Sequence, residues 1–499
     1  MKPLNSKNKP IPQREWSRIC RAKAVKLSRF HRENVKLARL LSFVFTALLI
    51  TGNLRMITRI LSTTVLATAA FCGAATAQDR IQFDYWYGLS GQLGEVVQAT
   101  CNRFNESQDA YLINCVGQDG YANAVQNTIA AFRAGQHPTM VQAYDAGTAD
   151  LMMSGEFYPV QQMMADFDIE IDWDDYFPGI SNYYASSTGE LFSMPFNSST
   201  PVMYFNTEHL TAAGIEAPPE TWEEFEANLN QIKASGQDCA FAYEPSTWID
   251  LEQFSMAHGV PIASNNNGYD GLDSELLFNT TLHVRHMEDI SRWLNDDLLE
   301  IRTTQGGLNS RDSFAQGECS FYFGSIASHA AVTNLVVDRF GWDVAMIPVF
   351  EGTERQNTVV GGASLWVLSN KSDDEYRGAA AYLQFLATAE SERFWAANTG
   401  YIPVTQSGFD ALNAEGFYDN APYKGREVAL RSLTYTPPGP LTRGIRLGSF
   451  IQIRAEWLAE VEAALAGDQT MQEALDNAVE RGNTALDRFA RTYRGQELP

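Results

Sequence analysis

The chain has 499 residues, 45% hydrophobic and 19% charged, a composition that supports folded cores and contains no low-complexity run or internal repeat. Its formal charge of −23 at pH 7 argues against nucleic acid and anionic membrane surfaces as partners, because both would be repelled by the field of the protein.

The first residues set the compartment. Residues 1–55 carry 13 Lys/Arg against two acids, and an apolar run at 40–50 that is short for a membrane span. They read as an over-extended gene start with Met56 as initiator, the other reading being a cytoplasmic tail with an uncleaved anchor. From Met56 the chain has a basic residue, Arg59, an apolar stretch over 60–71 and the small residues Ala75-Thr76-Ala77, which together make a signal peptide at 56–77. Cys72 follows the bulky Phe71, so soluble export to the periplasm is expected rather than lipid anchoring. Taking the 14 basic and two acidic residues of this leader from totals of 37 and 60 leaves 23 and 58, a net charge near −35. The remaining residues, about 420, exceed one compact core and fit two lobes. Four cysteines stay in this region. In an oxidising compartment the pairs Cys101–Cys115 and Cys239–Cys319 are expected, although three connectivities are open.

Alternation with aromatics over 81–87 predicts a strand, and a glycine-rich turn at 88–91 leads into helical spacing over 93–104. A strand over 111–116, a helix over 121–133 and a strand over 139–144 continue a β-α-β-α-β rhythm, which predicts an α/β fold with a largely parallel sheet. Further on, a helix over 222–235 opens at Thr221 as N-cap before acidic first-turn residues. A short buried strand at 365–368 precedes a helix over 374–387, and the tail over 451–494 is helical with a break near Gly467-Asp468.

Enzyme signatures are missing from the sequence: there is no H-E-x-x-H, P-loop or G-x-S-x-G motif. Six histidines remain after the leader, and His283 and His286, three apart, read as surface residues of a solvated helix rather than metal ligands. Acidic pairs such as Asp174-Asp175 are expected by chance among so many carboxylates. What remains is polar and small residues at predicted turns, Asn197-Ser198-Ser199-Thr200-Pro201 and Gly361-Gly362-Ala363-Ser364, whose hydroxyls and amides suit phosphate oxygens.

Those segments, with Thr399-Gly400-Tyr401-Ile402-Pro403, Ala478-Val479-Glu480-Arg481-Gly482-Asn483 and Asn266-Asn267-Gly268-Tyr269-Asp270-Gly271, resemble the family 1 extracellular solute-binding proteins of ABC importers, and among them those that carry glycerol phosphates. The resemblance runs from about residue 81 to 491. It implies a two-lobed α/β periplasmic binding protein fold with three interlobe crossings near Ser199, Thr358 and Tyr401 and a ligand cleft between the lobes. Lobe 1 would comprise 78–199 and 359–401, and lobe 2 200–358 and 402–499. It further implies ligand contacts from Tyr121, Asp145, Ser199, Trp248, Ser325, Gly362, Tyr401 and Arg454, the last gripping phosphate with its fork.

Two departures from the family pattern bear on specificity. Asp145 stands in place of a glutamate, and Pro245 in place of a second tryptophan beside Trp248, which opens space next to the phosphate. Glycerophosphodiesters, glycerophosphocholine first, are therefore expected to bind at least as well as glycerol-3-phosphate. The expected partners are that ligand and membrane permease subunits with a cytoplasmic ATPase. The protein is expected to be monomeric, with no cofactor, metal or nucleic acid. Two other readings remain: a sugar-binding protein of the same fold, and a secreted glycerophosphodiester phosphodiesterase.

Overall fold

The computed structural model describes residues 80–304 and 308–499; the leader over 1–77 and Cys72 lie outside them. Eleven strands among the described residues form two sheets. The first contains β1 (Ile81–Tyr87), β2 (Tyr111–Gly117), β3 (Met140–Tyr144), β4 (Phe157–Tyr158), β5 (Met194–Ser199) and β11 (Gly361–Leu368), in the order β2-β1-β3-β11-β4, with β5 also paired to β11. The second contains β6 (Pro201–Asn206), β7 (Cys239–Tyr243), β8 (Leu299–Ile301), β9 (Cys319–Ser325) and β10 (Trp342–Met346), in the order β10-β6-β9-β7-β8.

The local elements follow from the sequence pattern. β1 turns Phe83, Tyr85 and Tyr87 inward at every second residue, as a half-buried strand must. Helix Trp222–Ala234 starts with a reciprocal capping box, the Glu224 amide donating to Thr221 Oγ1 at 3.1 Å and the Thr221 amide donating to Glu224 Oε2 at 3.2 Å. The C-terminal helices Phe450–Leu465 and Met471–Thr492 are separated at Gly467, which adopts a positive φ of 86° that a side chain would resist.

Three expectations are corrected. The first sheet is mixed rather than largely parallel: β1 runs parallel to β2 and β3, but β11 is antiparallel to β3, β4 and β5. The reason is connectivity, since β11 re-enters this sheet from the second one and is not delivered by a βαβ crossover. The two polar motifs expected as turns are instead strands paired with each other, Gly361 opposite Ser199 and Gly362 opposite Ser198. They lie where the chain leaves the first sheet at Ser199 and returns at Gly361, so their polar backbone is buried and satisfied by the ladder. His283 and His286 are buried rather than exposed, on the inward stripe of helix Leu282–Asn295 with Met287, Ile290 and Trp293. His283 Nε2 accepts the Trp457 indole N–H at 3.1 Å, and His286 stacks on Phe254 with ring centroids 4.1 Å apart.

Cys101 is bonded to Cys115, tying helix Gly91–Ser107 to β2. Cys239 is bonded to Cys319, its register partner on neighbouring β9.

Candidate functional site

The site grows from strand ends at the junction of the two sheets. Asp145 begins the turn that directly follows β3, and its Oδ2 accepts the Gly362 amide at 3.1 Å. Gly362 has φ +112°, and a Cβ built on it would sit 2.0 Å from the Asn197 carbonyl oxygen, so this strand pairing requires glycine.

Arg454, on helix Phe450–Leu465, reaches Asp145 Oδ1 at 2.6 Å and Glu252 at 2.7 Å through both Nη2 and Nε. Its plane lies over Tyr144 and Phe450, at 5.7 and 5.3 Å from the ring centroids. Burial disfavours the guanidinium charge, but Asp145 and Glu252 outweigh it and hold the group protonated. The Glu252 carboxyl is pushed upward, mainly by burial, with Arg454 opposing and Asp145 adding to the rise.

A hydroxyl cluster adjoins this ionic group. Tyr121, at the N-terminus of helix Tyr121–Arg133, accepts the Asn197 amide N–H at 2.7 Å and lies 3.4 Å from the Tyr401 hydroxyl. Gln142 on β3 fixes Asn197 from behind by donating to its Oδ1 at 2.7 Å. Tyr121 also stacks on Tyr144 at 5.6 Å, and Tyr401 stacks on Trp395 at 5.7 Å. Burial pushes both the Tyr121 and Tyr401 hydroxyls up, so they stay protonated and act as neutral donors or acceptors. Ser199 and Ser325, one at the end of each sheet's strand, share a hydrogen bond of 2.6 Å between their Oγ atoms.

Trp248 sits in a wide helical turn, Thr247–Gln253, that also carries Glu252. Its indole packs on Gly361, where a Cβ would lie 2.2 Å from Nε1. That Nε1 and Ser198 Oγ are buried and find no hydrogen-bond partner among the described residues.

The structure thus brings Tyr121, Asp145, Ser199, Trp248, Ser325, Gly362, Tyr401 and Arg454 into one continuous constellation. Pro245 lies in the loop between β7 and the turn carrying Trp248. Sequence reasoning missed Glu252, Asn197 and Gln142 as members. Asn197 was within reach, since it opens a quoted motif, whereas Glu252 was hidden among many acids and only its spacing of four from Trp248 signals a shared helical face. Among the described residues no group of three His, Cys, Asp or Glu has a metal-holding arrangement, and no helix is long and apolar enough to cross a membrane. A separate cavity of about 720 Å³ lies against the far side of β3 and is mainly apolar, with Val125, Phe132, Leu151 and Ile451 in its wall.

Comparison with known proteins places this architecture. In Mycobacterium tuberculosis UgpB, solved in complex with glycerophosphocholine, the same fold is found with a TM-score of 0.67 at 18% identity, over 82% of this chain and 99% of that one. The GacH receptor of Streptomyces glaucescens, solved unliganded and with acarbose, gives 0.69 at 16% identity, over 82% and 99%. Both likenesses speak for the two-lobed fold alone. In sequence, the chain is 39% identical over 432 residues to the sn-glycerol-3-phosphate-binding periplasmic protein UgpB of Yersinia pseudotuberculosis, covering 85% of this chain and 96% of that protein. The model of the bacterial extracellular solute-binding proteins matches residues 99–418. A relative of that identity along nearly its whole length, together with a family match across most of the chain, means that this chain belongs to the bacterial extracellular solute-binding proteins.

Proposed function

We propose that this protein is the periplasmic substrate-binding component of an ABC importer that captures glycerol-phosphate compounds, glycerophosphodiesters and sn-glycerol-3-phosphate, and that it performs no chemistry on them. The observation that carries the reading is the charged Arg454 set beside four hydroxyls, those of Tyr121 and Tyr401 and those of Ser199 and Ser325 from the two sheets, in a chain whose relatives include sn-glycerol-3-phosphate-binding proteins. Arg454 supplies the charge for a phosphate, the hydroxyls and buried amides hold its oxygens, and Asp145 accepts a glycerol hydroxyl.

In this reading lobe 1 is 78–199 with 359–401, and lobe 2 is 200–358 with 402–499. The ligand is trapped as they close by hinge motion, and the closed form docks on the permease. The signal peptide at 56–77 directs export and is cleaved after Ala77, and the protein acts as a monomer. Hydroxyl groups and one arginine, with no metal-holding cluster among the described residues, suit binding rather than hydrolysis.

Thermal shift with sn-glycerol-3-phosphate, glycerophosphocholine, maltose and inorganic phosphate tests the assignment. A ligand that binds only the folded protein stabilises it by about 2.7 kcal/mol at a hundredfold excess over Kd. Stabilisation by maltose alone overturns the ligand class, and release of choline from glycerophosphocholine overturns the binding-only role.

A further inference from the structure

The charges in the constellation do not balance. Arg454 is one cation between two carboxylates, Asp145 at 2.6 Å and Glu252 at 2.7 Å, and both acids are buried, Glu252 to 1% side-chain exposure. Glu252 and Trp248 leave the same helical turn four residues apart, so a buried carboxyl group and an indole stand on one wall of the site. A ligand phosphate drawn to Arg454 enters beside two buried carboxyl groups where solvent screens weakly.

We infer that Glu252 sets selectivity by charge, favouring phosphodiesters that carry a cation of their own over phosphomonoesters and over diesters with an uncharged headgroup. This deepens the glycerol-phosphate reading above and rests on it. A phosphomonoester brings a charge of about −1.5 to −2 at neutral pH and adds it to a site where two carboxyl groups share one cation. A diester brings one negative charge. A quaternary ammonium headgroup then cancels that charge, with the Glu252 carboxylate as counter-ion and the Trp248 face as a cation–π surface. Glu252 also orients Arg454. If orientation were its only role, removing its charge would weaken every phosphate ligand alike, which separates the two roles.

The test is calorimetry on the exported protein and its Glu252→Gln and Glu252→Asp variants with glycerophosphocholine, glycerophosphoglycerol and sn-glycerol-3-phosphate. The wild type is expected to bind them in that order of decreasing affinity. In E252Q, glycerophosphocholine should weaken about tenfold while the monoester tightens several-fold, and E252D should keep the wild-type order. A common factor of loss for all three ligands in E252Q, or a wild type that prefers the monoester, overturns the inference and leaves the glycerol-phosphate assignment standing. If none of the three binds the wild type, that assignment falls and this inference with it. Should E252Q fail to fold, the wild-type order and E252D decide.

Discussion

Replacing Arg454 by methionine removes the cation from between two buried carboxyl groups, whose side chains are 5% and 1% exposed, while keeping an unbranched apolar stem in place of the arginine's. Breaking a buried ion pair from one side costs about 3–5 kcal/mol, because the remaining charge stays desolvated. The penalty should depend on pH. Glu252 already has a raised pKa through burial, and loss of Arg454 removes the influence that lowers it. A carboxyl whose folded pKa lies above its unfolded value gives its full contribution below the unfolded pKa of about 4.3 and loses it as pH rises through the folded pKa. R454M should therefore be nearest to wild type at about pH 5 and most destabilised at about pH 8. Urea titrations followed by far-UV circular dichroism at both pH values measure this. A deficit below about 1 kcal/mol, or one equal at both pH values, would refute the claim that Arg454 is the ion-pair partner of two buried acids.

Gly362→Ala forces a Cβ to within 2.0 Å of the Asn197 carbonyl at a positive φ, so a loss of at least about 2 kcal/mol is expected from thermal melts, with weaker ligand binding as the amide leaves Asp145. The C239S/C319S double variant releases a loop of 80 residues and should cost about 4.5 kcal/mol on chain-entropy grounds, against about 3 kcal/mol for C101S/C115S, which opens the 14-residue loop; urea midpoints of the two variants compare them. Burial lowers the imidazole pKa of His258 to about 4, of His283 to about 3, and of His286 well below its usual value. Groups held neutral in this way stabilise the fold above the unfolded pKa of about 6.5, and that stability is lost as pH falls below it. His286→Phe, which keeps a ring against Phe254 and Trp222, should flatten the fall of the urea midpoint between about pH 6.5 and about pH 4.5; an unchanged slope would count against a buried neutral His286.

Much of the secondary structure was legible in single residues. Aromatic alternation at Tyr85 and Tyr87 gave β1, Thr221 with Glu224 marked a helix start, and Gly467 marked the break in the C-terminal helices. These signals are local, since a strand alternates and a cap needs one hydroxyl, whatever the chain does elsewhere. The buried faces were harder to read. His283 and His286 occupy the inward stripe of their helix, yet imidazoles carry no apolar signal, and only contact with Trp457 and Phe254 places them inside. The polar runs at Asn197 and Gly361 read as turns because glycine and hydroxyl residues usually make turns, whereas pairing across the junction makes them strands.

The sequence by itself determined the acidic composition, the α/β rhythm and the family resemblance, because each is written in composition, short-range period or contiguous motif. Tertiary structure alone decided that Arg454 is shared between Asp145 and Glu252, residues that lie 309 and 202 positions away in the chain. No local pattern encodes that meeting. It depends on how the first sheet, the turn carrying Trp248 and a C-terminal helix converge, and the charge balance that the site offers a ligand exists only after they do.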